Sequence, residues 1–288
     1  MESLKKTILI IDSSGMAGHV ISKYLGNLDK YKISNLACDP LCNSYENYID
    51  VYDRELLHEK IKKSKPDVII NCLRILIEES ETDVDKAIYF NSFIPHYLSK
   101  IGTEINAKVI QLSTDCVFSG KKGSYNEDDF KDGENVYART KALGELNNER
   151  DLTLRTSFIG PNINGRNEEL FHWFLMQSGE INGYSNAYWT GITTLELAKS
   201  IDKAIDLNLI GLYHLVPNEK ISKFDLLTII KNIWGKKDIS INKSNNKFID
   251  KSLVDNKKML HVNNYSKMFE DLYNWMIKHK DLYPGYFN

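Results

Sequence analysis

Short apolar runs alternate with longer stretches of helical spacing along the first 160 residues. Residues 7–11 form a β-branched run of strand length, and 15–25 follow with apolar positions three and four apart. The same alternation predicts strands over 32–37, 68–72, 108–113 and 152–155, and helices over 56–63, 83–101 and 136–148. Strands of about five residues separated by helices of ten or more indicate βαβ units on a parallel sheet. Runs that are apolar throughout fit strands covered on both faces. The expected class is α/β, with a doubly wound parallel sheet over residues 1–160.

Beyond residue 160 the pattern loosens. A Gly/Asn loop over 162–167 precedes helical spacing over 193–206, 222–234 and 265–279, and 212–216 reads as one more strand. The polar, Asn/Lys-rich stretch 236–251 predicts a surface loop. Residues 161–288 are therefore expected to form a smaller C-terminal α/β substrate lobe, with segments such as 193–216 returning to the first domain. No internal repeat is present.

Composition narrows the classes. At 42% hydrophobic residues, with 37 basic against 39 acidic side chains, the chain has a core and no field for nucleic acid or an anionic membrane surface. No apolar run approaches the roughly 18 residues of a transmembrane helix, and the N-terminus lacks a signal-peptide pattern. Cys38, Cys42, Cys72 and Cys116 make no disulfide framework, and no second Cys/His pair joins Cys38 and Cys42 in a zinc site. A reduced cytoplasmic protein without a metal is expected.

The turn after the first strand reads Asp12-Ser13-Ser14-Gly15-Met16-Ala17-Gly18 and opens a helix. Glycines in that setting let the backbone approach a dinucleotide pyrophosphate on the helix N-terminus, the Rossmann arrangement. Gly15 and Gly18 hold two of the three glycine positions, and Asp12 holds the first. A plain strand-turn-helix explains the segment nearly as well, and a carboxylate where a phosphate should come weakens the dinucleotide reading.

Stronger evidence lies in Ser113-Thr114-Asp115 at a strand end, followed by Tyr137-Ala138-Arg139-Thr140-Lys141. Tyr and Lys four apart share one helix face. An ammonium beside a phenol lowers its pKa, so the phenol can protonate a carbonyl oxygen as hydride reaches the carbon. A Thr114 hydroxyl would hold the same oxygen. An isolated Tyr/Lys pair is usually incidental; its place after a glycine loop and a strand-terminal Ser-Thr makes it a candidate.

Ser113 to Gly120, Tyr125-Asn126-Glu127-Asp128, Tyr137/Lys141 and Leu154-Arg155-Thr156-Ser157 together resemble the extended short-chain dehydrogenases. Among these, the chain is most similar to dTDP-4-dehydrorhamnose reductases and relatives acting on nucleotide-linked 4-keto-6-deoxy sugars. Asn71, Asn91 and Pro95 match that family's spacing. The resemblance implies a Rossmann domain for NADPH or NADH and a lobe for the nucleotide sugar. It implies Tyr137 as proton donor, Lys141 bound to Tyr137 and the nicotinamide ribose, and Thr114 as hydroxyl partner. Cofactor contacts are expected from Gly15, Met16, Gly18, Asp39, Asp50, Asn71, Leu73, Asn91 and Ser113, with Tyr137 and Lys141. Asp39 suits an adenosine ribose as well as a turn before Pro40, so the choice of NADH or NADPH stays open. Arg74, Arg166 and Trp189 are expected on the substrate, against structural readings in which Trp189 packs the lobe and Arg166 is solvated. A homodimer is compatible with the resemblance.

The departures are Asp12 and Cys116, the latter standing where the rhamnose reductases carry Tyr. A cysteine there is similar to that of bifunctional relatives, the GDP-fucose and UDP-rhamnose synthases, which epimerise before they reduce. His172 is the candidate second acid/base residue, because Cys and His both titrate within reach of neutral pH. Against this, free cysteine is often a small buried apolar residue, and His172 reads equally as a surface or core histidine. The expected activity is reduction of a C4 ketone with C3 epimerisation, a UDP-linked 2-acetamido-2,6-dideoxy-hexos-4-ulose being favoured and dTDP- or UDP-4-keto-rhamnose also compatible. The competing class is a non-catalytic dinucleotide-binding subunit, similar to the methionine adenosyltransferase β-subunit, which the substitution at Asp12 favours.

Overall fold

The computed structural model describes residues 5–38, 47–163 and 169–287. The chain opens with β1 (Lys6–Ile11), α1 (Met16–Gly26), β2 (Tyr31–Leu36), α2 (Arg54–Ser64) and β3 (Val68–Asn71). Short helices α3 (Ile77–Thr82) and α4 (Val84–Ile88) lead through a π turn at Tyr89–Phe93 into α5 (Ile94–Ile105). Then come β4 (Lys108–Ser113), α6 (Val136–Leu143) and β5 (Leu152–Arg155). The second half adds β6 (Phe158–Ile159), α7 (Leu170–Met176), β7 (Gly179–Tyr184), β8 (Ala187–Trp189), β9 (Ile192–Thr193), α8 (Thr194–Asp206) and β10 (Gly211–His214). It closes with β11 (Ile221–Ser222), α9 (Lys223–Trp234), β12 (Ile239–Ser244), β13 (Ile249–Asp250) and α10 (Tyr265–Lys278).

Six parallel strands make the central sheet in the order β10-β5-β4-β3-β1-β2. Along β1 successive side chains face opposite ways. Ile8 and Ile10 pack with Val20, Ile21 and Ile201 on one face. Leu9 and Ile11 pack with Leu57, Ile61 and Leu98 on the other. That double coverage is why the strand is apolar throughout. The chain leaves β1 toward β2 on one side and returns to β3 on the other, so a crevice opens at their carboxyl ends.

Three expectations need correction. The stretch 236–251 carries two strands: β12 pairs in parallel with β7 along its whole length, and β13 pairs with β8. Its Lys and Asn residues hid a one-sided alternation in which Ile239 is buried. The helix expected over 136–148 stops at Leu143, with Gly144 as its cap, packed so close to the Asn91 carbonyl that a Cβ would collide with it. The helix expected over 83–101 forms without a gap from Val84, but it contains the π turn at Tyr89–Phe93 and runs on to Ile105. The segment 193–216 supplies α8, which packs on α1, and β10, which extends the central sheet beside β5.

The end of the chain ties both halves together. The Tyr283 hydroxyl lies 3.1 Å from His19 Nε2 on α1. The Tyr286 hydroxyl lies 2.8 Å from His172 Nδ1 on α7 and accepts the Asn162 N–H at 2.9 Å. Among the described residues, no helix is long and apolar enough to cross a membrane.

Candidate active site

The crevice contains a groove of about 280 Å³ lined by Asp12, Gly15, Met16, Asp50, Leu73 and Arg74, among others. Asp12 has φ +60°, the left-handed conformation that a glycine adopts without strain. A Cβ on Gly18 would collide with the Asp12 carbonyl oxygen, so α1 and the end of β1 approach as closely as a glycine permits. A Cβ on Gly15 would collide with the Asp12 carboxylate, which therefore lies against the first turn of α1. The Ser14 hydroxyl in the same turn is buried and has no hydrogen-bond partner among the described residues.

A second cavity, of about 70 Å³, adjoins this groove and shares Cys72, Leu73 and Arg74 with it; Ser113, Thr114, Tyr137, Lys141 and Ser157 are on its wall. Asn135 caps α6 by accepting from the Ala138 N–H, which starts the helix one residue before Tyr137. Tyr137 and Lys141 project together, as their spacing requires. Lys141 Nζ donates to the Leu112 carbonyl at 2.8 Å. Thr114 Oγ1 donates to the Asp115 carboxylate at 3.2 Å and accepts from the Cys116 N–H at 3.1 Å. Burial lowers Lys141 to about 8, and the Arg74 cation adds to the effect. Burial pushes the Tyr137 phenol well up, which corrects the expectation that the Lys141 ammonium would lower it.

Other expected residues take positioning places. Asn71 receives the Leu73 N–H, and Asn91 receives the Ile75 N–H, so the two amides fasten the loop that carries Arg74. Ser113 donates to Glu145 at 2.7 Å. Asp50 caps its own turn by accepting from the Tyr52 N–H. Arg74 pairs with Glu169 across the groove and lies over the Phe158 ring, 5.4 Å from its centroid. Cys116 lies two residues beyond Thr114 in sequence but is not among the residues lining the cavities. Burial, with Asp115, raises its thiol to about 11. His172 packs against Tyr286 instead of lining a cavity. Asp39 and Arg166 lie outside the described residues.

A third cavity of about 160 Å³ joins the second through Arg74, Ser157 and Phe158, and reaches into the lobe at Glu169, Trp189 and Lys223. Lys223 was not singled out from the sequence, where it is one lysine among many. Among the described residues no cluster of metal-ligating side chains occurs.

Residues 6–252 match the family described as RmlD substrate binding domain. The dTDP-4-dehydrorhamnose reductase of Aggregatibacter actinomycetemcomitans is 29% identical over 157 residues, covering 52% of this chain and 51% of that protein. Methionine adenosyltransferase 2 subunit beta of Xenopus laevis is 27% identical over 194 residues, covering 62% and 58%. The chain thus spans about half the length of the curated reductase it matches. The structure of dTDP-4-dehydrorhamnose reductase from Bacillus anthracis, in complex with NADP, superposes with a TM-score of 0.80 at 18% identity. It covers 94% of this chain and 100% of that one. At that identity the superposition establishes the shared fold. The family match extends from β1 to the strands of the lobe, and by it the chain belongs to the RmlD substrate binding domain family.

Proposed function

We propose that the protein reduces the C4 ketone of a nucleotide-linked 4-keto-6-deoxyhexose with NADPH or NADH, and that it epimerises C3 beforehand. The observation that carries this reading is the single cavity holding Thr114, Tyr137 and Lys141 beside a groove at the sheet's switch point. The names of the reductase relatives support the substrate class, and the NADP of the B. anthracis structure supports the cofactor.

The groove fits a dinucleotide in the glycine positions that hold α1 close and in the unpartnered Ser14 hydroxyl; the Asp12 carboxylate is the feature that opposes a phosphate. Gly15, Met16, Asp50 and Leu73 would hold the cofactor, which supplies a hydride to the C4 carbon. Tyr137 donates its proton to the C4 oxygen, and the Thr114 hydroxyl orients that oxygen. Lys141, desolvated and fixed by Leu112, stands by to stabilise the phenolate that results. Cys116 and a second acid/base group exchange the proton on C3, which the neighbouring ketone acidifies. A UDP-linked 2-acetamido sugar is the favoured substrate.

The test incubates the protein in deuterated water with NADPH or NADH and UDP-2-acetamido-2,6-dideoxy-4-hexulose, alongside the plain dTDP- and UDP-4-keto sugars. Cofactor oxidation with deuterium at C3 supports both activities; oxidation without deuterium leaves a reductase alone. No oxidation with any of them favours a second reading, a non-catalytic dinucleotide-binding subunit like the methionine adenosyltransferase relative. The observation favouring that reading is Asp12 against the helix turn.

A further inference from the structure

Tyr283 and Tyr286 share one tight turn, in which the Tyr286 N–H donates to the Tyr283 carbonyl at 3.3 Å, and both rings are buried. The turn reaches two segments of the groove lining. At the first, Gly15 caps α1 without a side chain of its own. Its carbonyl receives the His19 backbone N–H at 3.1 Å and the His19 imidazole Nδ1 at 2.9 Å. Burial lowers His19 to about 4, so near neutral pH the ring carries a single proton. A carbonyl only accepts, so that proton sits on Nδ1, and Nε2 is left to accept from the Tyr283 hydroxyl at 3.1 Å. Because the peptide is planar, holding the Gly15 carbonyl in the helix turns the Met16 N–H outward, among the unbonded donors at the start of α1. Those donors are the ones that would face a pyrophosphate. At the second segment, the Tyr286 hydroxyl accepts the Asn162 N–H and gives its own proton to His172 Nδ1. Gly15, Met16 and Asn162 all line the groove, and neither tyrosine does.

We propose that Tyr283 and Tyr286 are positioning residues for the cofactor, clasping two segments of the groove lining and so setting its affinity for a dinucleotide. This rests on the cofactor reading given above. Tyr283 acts through His19, although 264 positions separate them in sequence. Without its hydroxyl, Nε2 becomes a buried acceptor lacking a partner. The imidazole is then no longer held to the tautomer that bonds Gly15, and the turn loosens. Tyr286 acts through Asn162 and ties it to α7 by way of His172, whose ring is a strut of the same clasp.

The experiment titrates the full chain with NADH and with NADPH by fluorescence, with folding of each variant checked by thermal melting. Y283F and Y286F should each raise the cofactor Kd about fivefold, as the loss of one hydrogen bond would. KM for the cofactor should rise with it, while kcat at saturating cofactor stays unchanged. H19L should bind at least as weakly as Y283F. H19N, whose amide N–H can stand where Nδ1–H stood, should bind within about twofold of wild type. Because Tyr283 works through His19, Y283F/H19L should bind no more weakly than H19L alone. Y31F removes a hydroxyl bond to Asp202 at the other end of β2 and should leave Kd unchanged. Unmoved Kd in Y283F and Y286F would overturn the proposal, and so would additive losses in Y283F/H19L. An equal loss in Y31F would overturn it in favour of general destabilisation. Wild type that binds neither NADH nor NADPH would defeat the cofactor reading itself, and this inference with it.

Discussion

Asp12 illustrates how one residue can satisfy the backbone of a site and oppose its ligand. Its φ of +60° reproduces the turn a glycine would make, while its carboxylate rests on the first turn of α1. A cofactor phosphate seated there meets a like charge. Asp12→Gly keeps the turn and removes the charge, and should tighten NAD(P)H binding about tenfold, roughly 1.4 kcal/mol. Fluorescence titration measures this, and unchanged affinity would show that the phosphate lies elsewhere. At the other end of the cleft, Tyr137→Phe should lower the reductase kcat by about 10²- to 10⁴-fold, read from NAD(P)H absorbance. The Tyr137/Lys141 pair was legible from sequence because helical spacing alone puts both on one face. Lys223 was not, since its place beside Trp189 depends on β11 pairing with β8 more than thirty residues away. The roles of Asn71 and Asn91 in fastening the Arg74 loop depend likewise on folding.

At the level of elements, the end of β5 is secured by a buried ion network. Arg155 makes two bonds of 2.8 Å to Glu145, which also receives Ser113 and Lys131. Burial opposes ionisation of Glu145, but Arg155 and Lys131 outweigh it and hold the carboxyl below its usual range. Glu145→Ala leaves Arg155 buried without its counter-ion and should destabilise the fold by about 3–5 kcal/mol in urea unfolding. Because the folded pKa is depressed, this contribution is present above the ordinary carboxyl value near 4.3. It is lost as pH falls below that value through the folded pKa. A wild-type midpoint that stays flat from pH 5 to 3 would count against the network. The inner strands β1 and β3 of the main sheet were readable because both faces are buried and their runs are almost wholly apolar. In β12 and β13 the core side is a few residues among Lys and Asn, and the pairing partner is distant in the chain. Local pattern therefore failed there.

Across the whole molecule, the two halves are joined at the rim and at the cleft. Tyr283 and Tyr286 bind α1 to the lobe at the rim. In the cleft, Arg74 borders all three cavities while its guanidinium reaches across to Glu169. A ligand in the groove and a ligand in the lobe therefore compete for the attention of the same cation, and their affinities are thermodynamically linked. Saturating cofactor should change the Kd of the sugar nucleotide by about fivefold or more, and saturating sugar nucleotide should change the cofactor's Kd by the same factor. Calorimetric titration in both orders checks the equality, and Arg74→Met should bring both factors toward one. The order in which the two substrates bind would then be written in a single guanidinium, before any chemistry begins.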